Sequence, residues 1–292
     1  MAMVRSAALL LFLVARACEG VLVFDETVER VVINVGSNTQ PALPHHDKAV
    51  AIAVEPMVGC KIREQKGLHV VHAAIAANDT LAFMNWYNKF GESSSLSTPT
   101  EVAAWNQNYR KPPKIVNVIS MKTLLESIDP RVDLWYLKTD MQGFDFQAFV
   151  AGAKLVAKRA HYVMSEVWWD NFQSYDNLKN DFCRHHFPLF TAMGYELVDV
   201  EDGYKTDQKG PGIEAALKPD GKIKSQLEIL QICEAQKDKP PVVGSSNEAD
   251  AYWKRKDTTL EPPHWREGKE NPRLRGRRLE DGQRLVGPDF RR

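Results

Sequence analysis

The chain has 292 residues, of which 43% are hydrophobic, and its formal net charge at pH 7 is zero. This length and composition can build one large globular domain. Because positive and negative charges balance, the protein has no overall basic field for nucleic acid and no acidic field. We therefore expect no nucleic-acid partner.

The N-terminal segment MAMVRSAALLLFLVARACEG has the pattern of a secretory signal peptide. Arg5 precedes an apolar run over residues 7–15, and Ala15-Arg16-Ala17 fits a small-x-small cleavage site. A bilayer span takes about 20 apolar residues, so this run is too short. We expect a signal peptide over residues 1–17, a protein in the Golgi lumen or secreted, and no transmembrane segment after cleavage. The alternative is a buried N-terminal helix or strand in a cytoplasmic protein.

The cysteines are widely spaced and match no zinc-binding pattern; they are Cys18, Cys60, Cys183 and Cys233. They allow one disulfide in an oxidising compartment. Asn78-Asp79-Thr80 is an N-glycosylation sequon, usable if the chain is secreted and this turn is exposed. We predict no bound metal.

Apolar, strand-like runs alternate with helical or looped stretches through residues 28–239, which we take as one domain. Strands are predicted over residues 31–37, 49–56, 68–76, 81–87, 132–140, 161–169, 195–202 and 228–235. Near-continuous apolar strands are buried on both faces, so this order predicts an α/β protein with a largely parallel sheet. Helices are predicted over residues 121–128, 145–160, where Asp145 is the N-cap candidate, and 177–195, broken at Pro188.

The composition changes at about Pro240. Residues 250–292 are rich in Arg, Lys, Glu, Pro and Gly and contain few aliphatic side chains. Such a segment buries too little apolar surface to offset the entropy of ordering the chain. We therefore predict a linker followed by a disordered charged tail over residues 240–292.

The stretch VVINVGSNTQP, residues 31–41, reads as a buried strand that enters a tight loop. A dinucleotide-binding G-x-G-x-x-G fingerprint would need glycine at 36, 38 and 41, where the chain has Gly36, Asn38 and Pro41. The second glycine lets the backbone approach the pyrophosphate, so an NAD or FAD enzyme is disfavoured. S-adenosylmethionine has no phosphate that the backbone must approach. One glycine at the end of the strand is therefore enough for the tight turn of a loop that binds it. Glu55, which ends the next strand, can accept hydrogen bonds from a ribose.

These and later residues resemble the FkbM-type family of S-adenosylmethionine-dependent methyltransferases. The family's D-V-G-A-N-x-G opening is matched by residues 34–40, its acid-proline strand end by Glu55-Pro56, and its alanine-rich strand and turn by residues 73–79. Its K-x-D-x-E-G-x-E block is matched by KTDMQGFD, residues 138–145, with Ala151-Gly152-Ala153 and a strand ending in Glu166 after it. The resemblance covers roughly residues 28–202.

The resemblance implies a Rossmann-like class I methyltransferase fold. Its sheet has seven mostly parallel strands, one reversed strand near the C-terminal end, and helices on both faces. It also implies S-adenosylmethionine as cofactor, over the ends of the first two strands; the residues implied to bind it are Asn34, Gly36, Ser37, Asn38, Glu55 and Asn78. The chain departs from the family at Asn34, Gln40, Gln142 and Asp145, and Pro41 and Pro44 truncate or delete the usual first helix.

The methyl acceptor is expected over the fourth and fifth strands. A sugar or alcohol hydroxyl needs a base to take its proton, and Asp140, at the end of the fourth strand, is the first candidate for base or acceptor anchor. Lys138 lies on the same strand face and could keep Asp140 ionised; a structural ion pair is the alternative. Glu166 ends the fifth strand and could face the same pocket. Trp168 and Trp169 could stack on a carbohydrate or pack in the sheet.

The sequence therefore predicts a secretory-pathway methyltransferase that uses S-adenosylmethionine to methylate an oxygen of a small-molecule or glycan acceptor. The alternative is a non-catalytic binding protein on a degenerate methyltransferase fold. Gln40, Gln142 and the two prolines motivate that alternative, because they replace residues that the family uses.

Overall fold

A computed structural model describes residues 21–38, 41–57, 62, 66–87, 91, 93–101, 110–202, 210–240, 242 and 247–263. The predicted signal peptide, Gln40, Cys18, Cys60 and residues 264–292 lie outside the described residues. Among the described residues, no helix has both the length and the apolar character that crossing a membrane requires.

The main sheet has seven strands. They are β1 Arg30–Val35, β2 Ala49–Val54, β3 Leu68–Val71, β7 Asp133–Thr139, β8 Ala160–Trp168, β9 Tyr195–Asp202 and β10 Glu248–Arg255. Their spatial order is β3-β2-β1-β7-β8-β10-β9. The strands β3, β2, β1, β7 and β8 are parallel to one another, whereas β10 is antiparallel to both β8 and β9. The predicted α/β sheet of seven mostly parallel strands is therefore confirmed.

A second, smaller sheet packs beside the C-terminal ends of β1, β2 and β7. It consists of β4 Ala74–Ala76, β5 Thr80–Tyr87 and β6 Arg110–Ser120 in the order β4-β6-β5. The sequence did not predict β6, because its first half, RKPPK, carries charges and two prolines that are unfavourable in a strand.

The helical segments are α1 Met121–Glu126, α2 Asp145–Arg159, a π-helical turn Phe182–His186, α3 Phe187–Ala192, α4 Pro211–Ala216 and α5 Gln226–Gln236. All of them contribute buried side chains to the largest hydrophobic cluster, together with Ile33, Leu137 and Val163 of the sheet. The opposite face of the sheet carries a smaller cluster that includes Tyr136 and Tyr162. In the described residues no helix contributes to that second cluster.

The prediction of helices on both faces is therefore wrong for the described part of the chain. Pro41 and Pro44 stand where a helix after β1 would begin, and residues 41–48 contain none. Proline removes a backbone donor and restricts the residue before it, so helix growth is disfavoured there. The segment after β10 covers part of this face instead: the Trp135 indole donates to Glu261 O at 2.6 Å, and the Tyr162 hydroxyl donates to Leu260 O at 2.7 Å.

Three further predictions are corrected. Residues 228–235 form a helix rather than a strand, because Ser225 and Glu228 make a capping box and Ile229 and Cys233 are buried four residues apart. The helix α2 has Phe144 as its N-cap, with Asp145 one position inside.

Residues 248–255 belong to the sheet as β10, so the folded unit extends beyond 239 into the predicted tail. The alternating Ala249, Ala251 and Trp253 are buried in the core.

Candidate functional site

A cavity of about 360 Å³ lies between the C-terminal ends of β1, β2 and β7 and the smaller sheet. Its polar lining comes from two places. The loop side is formed by Gly36, Ser37, Asn38 and Glu55, and the carboxylate side by Lys138, Asp140 and Gln142. Parallel α/β sheets commonly bind ligands in a crevice at this edge, and the volume lies in the range of small-molecule sites.

Gly36 brings the two sides together. Its φ is +72°, and a Cβ added there would lie 1.9 Å from the carbonyl oxygen of Asp140. Its N–H donates to Val54 O at 2.9 Å, and Asp140 N–H donates to Val35 O at 3.2 Å. The position therefore requires glycine both for its conformation and for the close approach of the backbone.

Glu55 anchors the loop side. Its carboxylate accepts hydrogen bonds from the backbone N–H of Asn38 at 2.8 Å and of Met57 at 2.9 Å. Only 5% of the residue is exposed. Asn38 has a φ of +48°, a left-handed conformation that asparagine tolerates. Glu55 thus fixes the loop after β1 to the loop after β2, in addition to lining the cavity.

Ser37 supplies a polar atom for a ligand. The residue is 5% exposed and lines the cavity, and its hydroxyl oxygen has no hydrogen-bond partner among the described residues. Buried polar groups are almost always hydrogen-bonded. A ligand with a carboxylate or an amine, as in the methionine part of S-adenosylmethionine, would satisfy this hydroxyl, so the loop side fits that cofactor.

Two of the expected cofactor residues are not in the cavity lining. Asn34 is buried inside β1, where it is in register with Lys138 of β7 and Ala53 of β2. Asn78 is exposed in the turn before β5. Of the six residues, the structure brings Gly36, Ser37, Asn38 and Glu55 together around the cavity.

The carboxylate side is held by an amide. Lys138 Nζ lies 3.7 Å from Asp140 Oδ2. The side-chain amide of Gln142 donates to Asp140 Oδ1 at 2.9 Å and to Glu166 Oε1 at 3.4 Å. Lys138 and Asp140 line the cavity, whereas Glu166 lies behind Gln142 and is not part of the lining. All three predicted catalytic residues are thus linked to one group of contacts.

A row of carboxylates continues across the sheet from this point. Asp250 of β10 is the register partner of Glu166 on β8 and of Glu201 on β9. Burial, and then the charge of Asp140, raise the pKa of Glu166 well above its usual range. Burial raises the pKa of Asp250 to about 7, and Lys138 partly opposes this. Burial lowers the pKa of Lys138, but the charges of the neighbouring carboxylates, led by Asp140, raise it by more. The pKa of Lys138 is therefore above its ordinary value.

The sequence missed Asp250, because it lies in the segment predicted to be disordered. The one signal was the alternation of small or aromatic apolar residues with polar ones over residues 249–253. Asp145, the predicted N-cap, lies one position inside α2 and is buried, and burial raises its pKa to about 7.

Several other buried side chains have structural roles. Trp168 and Trp169 are each 1% exposed, so they pack in the sheet and do not offer a stacking surface. Cys183 forms a disulfide with Cys233. His186 is buried against Asn180 Oδ1 at 2.9 Å, and burial lowers its pKa to about 3. The described residues contain no group of three or more His, Cys, Asp or Glu placed to hold a metal ion.

The comparisons with known proteins found a likeness to a solved structure. No protein-family model matches the sequence, and no curated protein matches it. Among solved structures, the chain is similar to methyltransferase FkbM from Methylobacillus flagellatus KT, with 10% sequence identity and a TM-score of 0.27. The match covers 50% of this chain and spans 34% of that protein. We therefore infer function from the cavity itself.

Proposed function

We propose that the protein is an S-adenosylmethionine-dependent methyltransferase that methylates a hydroxyl oxygen of a carbohydrate or small metabolite. The observation that carries this proposal is the cavity lined on its loop side by Gly36, Ser37 and Glu55 and on its carboxylate side by Lys138 and Asp140. Within the described part of the chain, the Ser37 hydroxyl has no hydrogen-bond partner. The strand order, with β10 reversed between β8 and β9, supports a class I methyltransferase fold, since the resemblance to FkbM-type sequences implied such a sheet.

The loop side would hold the cofactor. The Ser37 hydroxyl and the backbone around Gly36 and Asn38 would bind its methionine part, and Glu55 would face its ribose. When bound, S-adenosylmethionine supplies an electrophilic methyl group. The close contact between Gly36 and the Asp140 carbonyl places this loop next to the carboxylate side, so a ligand on the loop side would be adjacent to an acceptor held by Asp140.

The carboxylate side would handle the proton. Asp140 would accept the proton of the acceptor hydroxyl, which is a poor nucleophile until that proton leaves. Lys138 Nζ lies 3.7 Å from Asp140 Oδ2 and places a positive charge beside that carboxylate. Oriented binding of the hydroxyl beside the methyl group supplies the remaining rate enhancement through proximity.

We also propose that the protein acts in the secretory pathway, in the Golgi lumen or after secretion. The disulfide between Cys183 and Cys233 supports this, since disulfides persist in oxidising compartments. The apolar N-terminal segment supports it too. An enzyme in a lumen would depend on cofactor delivered there.

Calorimetry with S-adenosylmethionine and S-adenosylhomocysteine tests the proposed function. We expect micromolar binding that Glu55→Ala abolishes, because the variant loses the anchor of both cavity loops. Glu126→Ala, which removes an exposed carboxylate on α1, is the matched control and should bind like the parent. A thermal melt checks that each variant is folded. A folded parent protein that binds neither ligand would rule out the proposed function.

The second candidate is a binding protein without methyltransferase activity. It is favoured by one observation: residues 41–48 contain no helix after β1, so the usual helix start beside the cofactor loop is missing there. Under this alternative the parent protein would be folded and would not transfer a labelled methyl group to any sugar or hydroxyl compound in an acceptor panel.

A further inference from the structure

Gln142 stands at the turn between β7 and α2, in a conformation that its surroundings fix. Its φ is +53°, and Gly143 follows with a φ of +93°. The backbone carbonyl of Gln142 accepts a hydrogen bond from the Ser95 hydroxyl at 3.1 Å. A left-handed conformation at a glutamine costs about 1 kcal/mol or more, so the contacts of this residue must outweigh that cost.

The side-chain amide of Gln142 makes three contacts whose polarity is consistent. The nitrogen faces two carboxylates, with Asp140 Oδ1 at 2.9 Å and Glu166 Oε1 at 3.4 Å. The oxygen accepts from the Tyr175 hydroxyl at 2.7 Å. A carboxyl oxygen can accept and a Tyr hydroxyl can donate, so this amide orientation gives each of the three neighbours a matching partner.

These contacts fix the carboxylate plane of Asp140. Oδ1 is held by Gln142 at 2.9 Å and Oδ2 lies 3.7 Å from Lys138. The hydrogen bond at Oδ1 and the positive charge beside Oδ2 both favour one orientation of the Asp140 carboxylate. The Tyr175 hydroxyl in turn prevents rotation of the Gln142 amide, and it also lies 2.9 Å from Ser93 O in the segment beside the cavity.

A glutamate at 142, as the family pattern has it, would behave differently in this chain. It would place a third carboxylate between Asp140 and Glu166, where an amide now donates to both. Charges of the same sign at this distance repel and favour protonation of one of them. The glutamine is therefore matched to the two carboxylates of this site.

We propose that Gln142 is a positioning residue that holds the Asp140 carboxylate toward the cavity and bridges it to Glu166, with Tyr175 keeping the amide in this orientation. This inference rests on the proposed function, because it assigns the orientation of the base that would take the acceptor's proton. The hydrogen-bond geometry itself is independent of the cofactor.

Carboxyl carbon NMR of protein labelled with ¹³C at the side-chain carboxyls of Asp and Glu tests the proposal. Asp140→Asn and Glu166→Gln identify the two signals. We expect Gln142→Glu to move the titration of the Asp140 signal upward by at least one pH unit, and Gln142→Leu to move it less. Loss of the donor removes a hydrogen bond to the charged form, and a new charge adds repulsion.

Gln173→Glu is the matched control. It adds the same charge to the neighbouring loop, where the Gln173 amide donates to Tyr175 O at 2.9 Å and does not contact Asp140. Its Asp140 titration should match the parent. Tyr175→Phe removes only the hydroxyl and should shift the Asp140 titration in the same direction by a smaller amount. If Gln142→Glu does not fold, Tyr175→Phe is the variant that tests the proposal. An Asp140 titration unchanged in every folded Gln142 and Tyr175 variant would overturn the positioning role.

Calorimetry with S-adenosylhomocysteine separates this inference from the proposed function. Gln142→Leu should bind that ligand within about threefold of the parent, because Gln142 lies on the carboxylate side. Intact binding with an unchanged Asp140 titration would reject the role of Gln142 alone. If the parent does not bind S-adenosylhomocysteine but the Asp140 titration shifts in the variants, the proposed cofactor is rejected and the positioning role of Gln142 is retained.

Discussion

The two sides of the cavity are built by different means. On the loop side, the chain is held by backbone contacts: Gly36 packs against the Asp140 carbonyl, and Glu55 accepts from two backbone N–H groups. On the carboxylate side, ionisable side chains are held by one another and by the Gln142 amide. Substitutions that add side-chain atoms should therefore destabilise the loop side most, whereas a change of pH should act mainly on the carboxylate side.

The largest expected effect is that of a methyl group at Gly36. Gly36→Ala would place its Cβ 1.9 Å from the Asp140 carbonyl oxygen, so the backbone must move. We expect a loss of about 3 kcal/mol or more in the free energy of unfolding, measured by urea denaturation.

Gly194→Ala separates this contact from conformational strain. Gly194 also has a positive φ, +87°, but a Cβ there would meet no heavy atom within 4 Å. The control should lose only about 1 kcal/mol. Equal losses in the two variants would show that strain alone accounts for the glycine and that the close approach is unimportant.

The second effect is the contribution of the carboxylate side to the pH dependence of stability, which becomes less favourable as pH rises. Burial raises the pKa of Asp250 to about 7 in the folded state, above the ordinary 3.8. Between these values the folded protein binds the proton and the unfolded chain does not, so stability is lost as pH rises through the folded pKa. From pH 5 to pH 8, Asp250 alone should remove about 3 kcal/mol of unfolding free energy.

Chemical denaturation at pH 5 and pH 8 measures this slope, and Asp250→Asn should flatten it. Asp257→Asn is the control just beyond β10, because the Arg255 side chain lowers the pKa of Asp257 below 3.8. Asp257 is therefore ionised in both states across this range and should leave the slope unchanged. A change in stability from pH 5 to pH 8 that is the same in the parent and in Asp250→Asn would contradict the proposed electrostatics of the carboxylate side, because buried groups such as His186 act equally in both proteins.

The sequence predicted the loop side better than the carboxylate side, for a physical reason. A buried strand running into Gly36 and a strand ending in Glu55 are local patterns, and each appeared where expected. The backbone donors that Glu55 accepts from depend on how two loops meet, which no local pattern contains. Asp250 reaches Glu166 only because β10 inserts between β8 and β9, and its charged surroundings in the sequence resemble those of a disordered tail.

The third effect concerns Ser37, whose hydroxyl has no partner among the described residues. Ser37→Ala should leave the free energy of unfolding unchanged or slightly higher, because no protein hydrogen bond of the side chain is lost. It should weaken S-adenosylhomocysteine binding by roughly 0.5–1.5 kcal/mol, the usual net value of a hydrogen bond. Thermal melts and calorimetry measure the two quantities. Unchanged affinity would place the ligand away from Ser37.

The smallest expected effect is at Asn78, which lies outside both sides. Asn78 and its neighbour Asp79 are both exposed, and Asp79 accepts from Ser120 N–H at 2.5 Å and from the Thr123 hydroxyl at 2.8 Å. Asn78→Gln should therefore leave S-adenosylhomocysteine affinity within about twofold of the parent. Because Asn78-Asp79-Thr80 is an exposed sequon, the chain expressed through a secretory pathway should carry one N-glycan that Asn78→Gln removes. Mass spectrometry before and after deglycosylation measures this. A tenfold loss of affinity in unglycosylated Asn78→Gln would instead show that Asn78 contributes to the cofactor site. The loop side would then extend to the turn before β5.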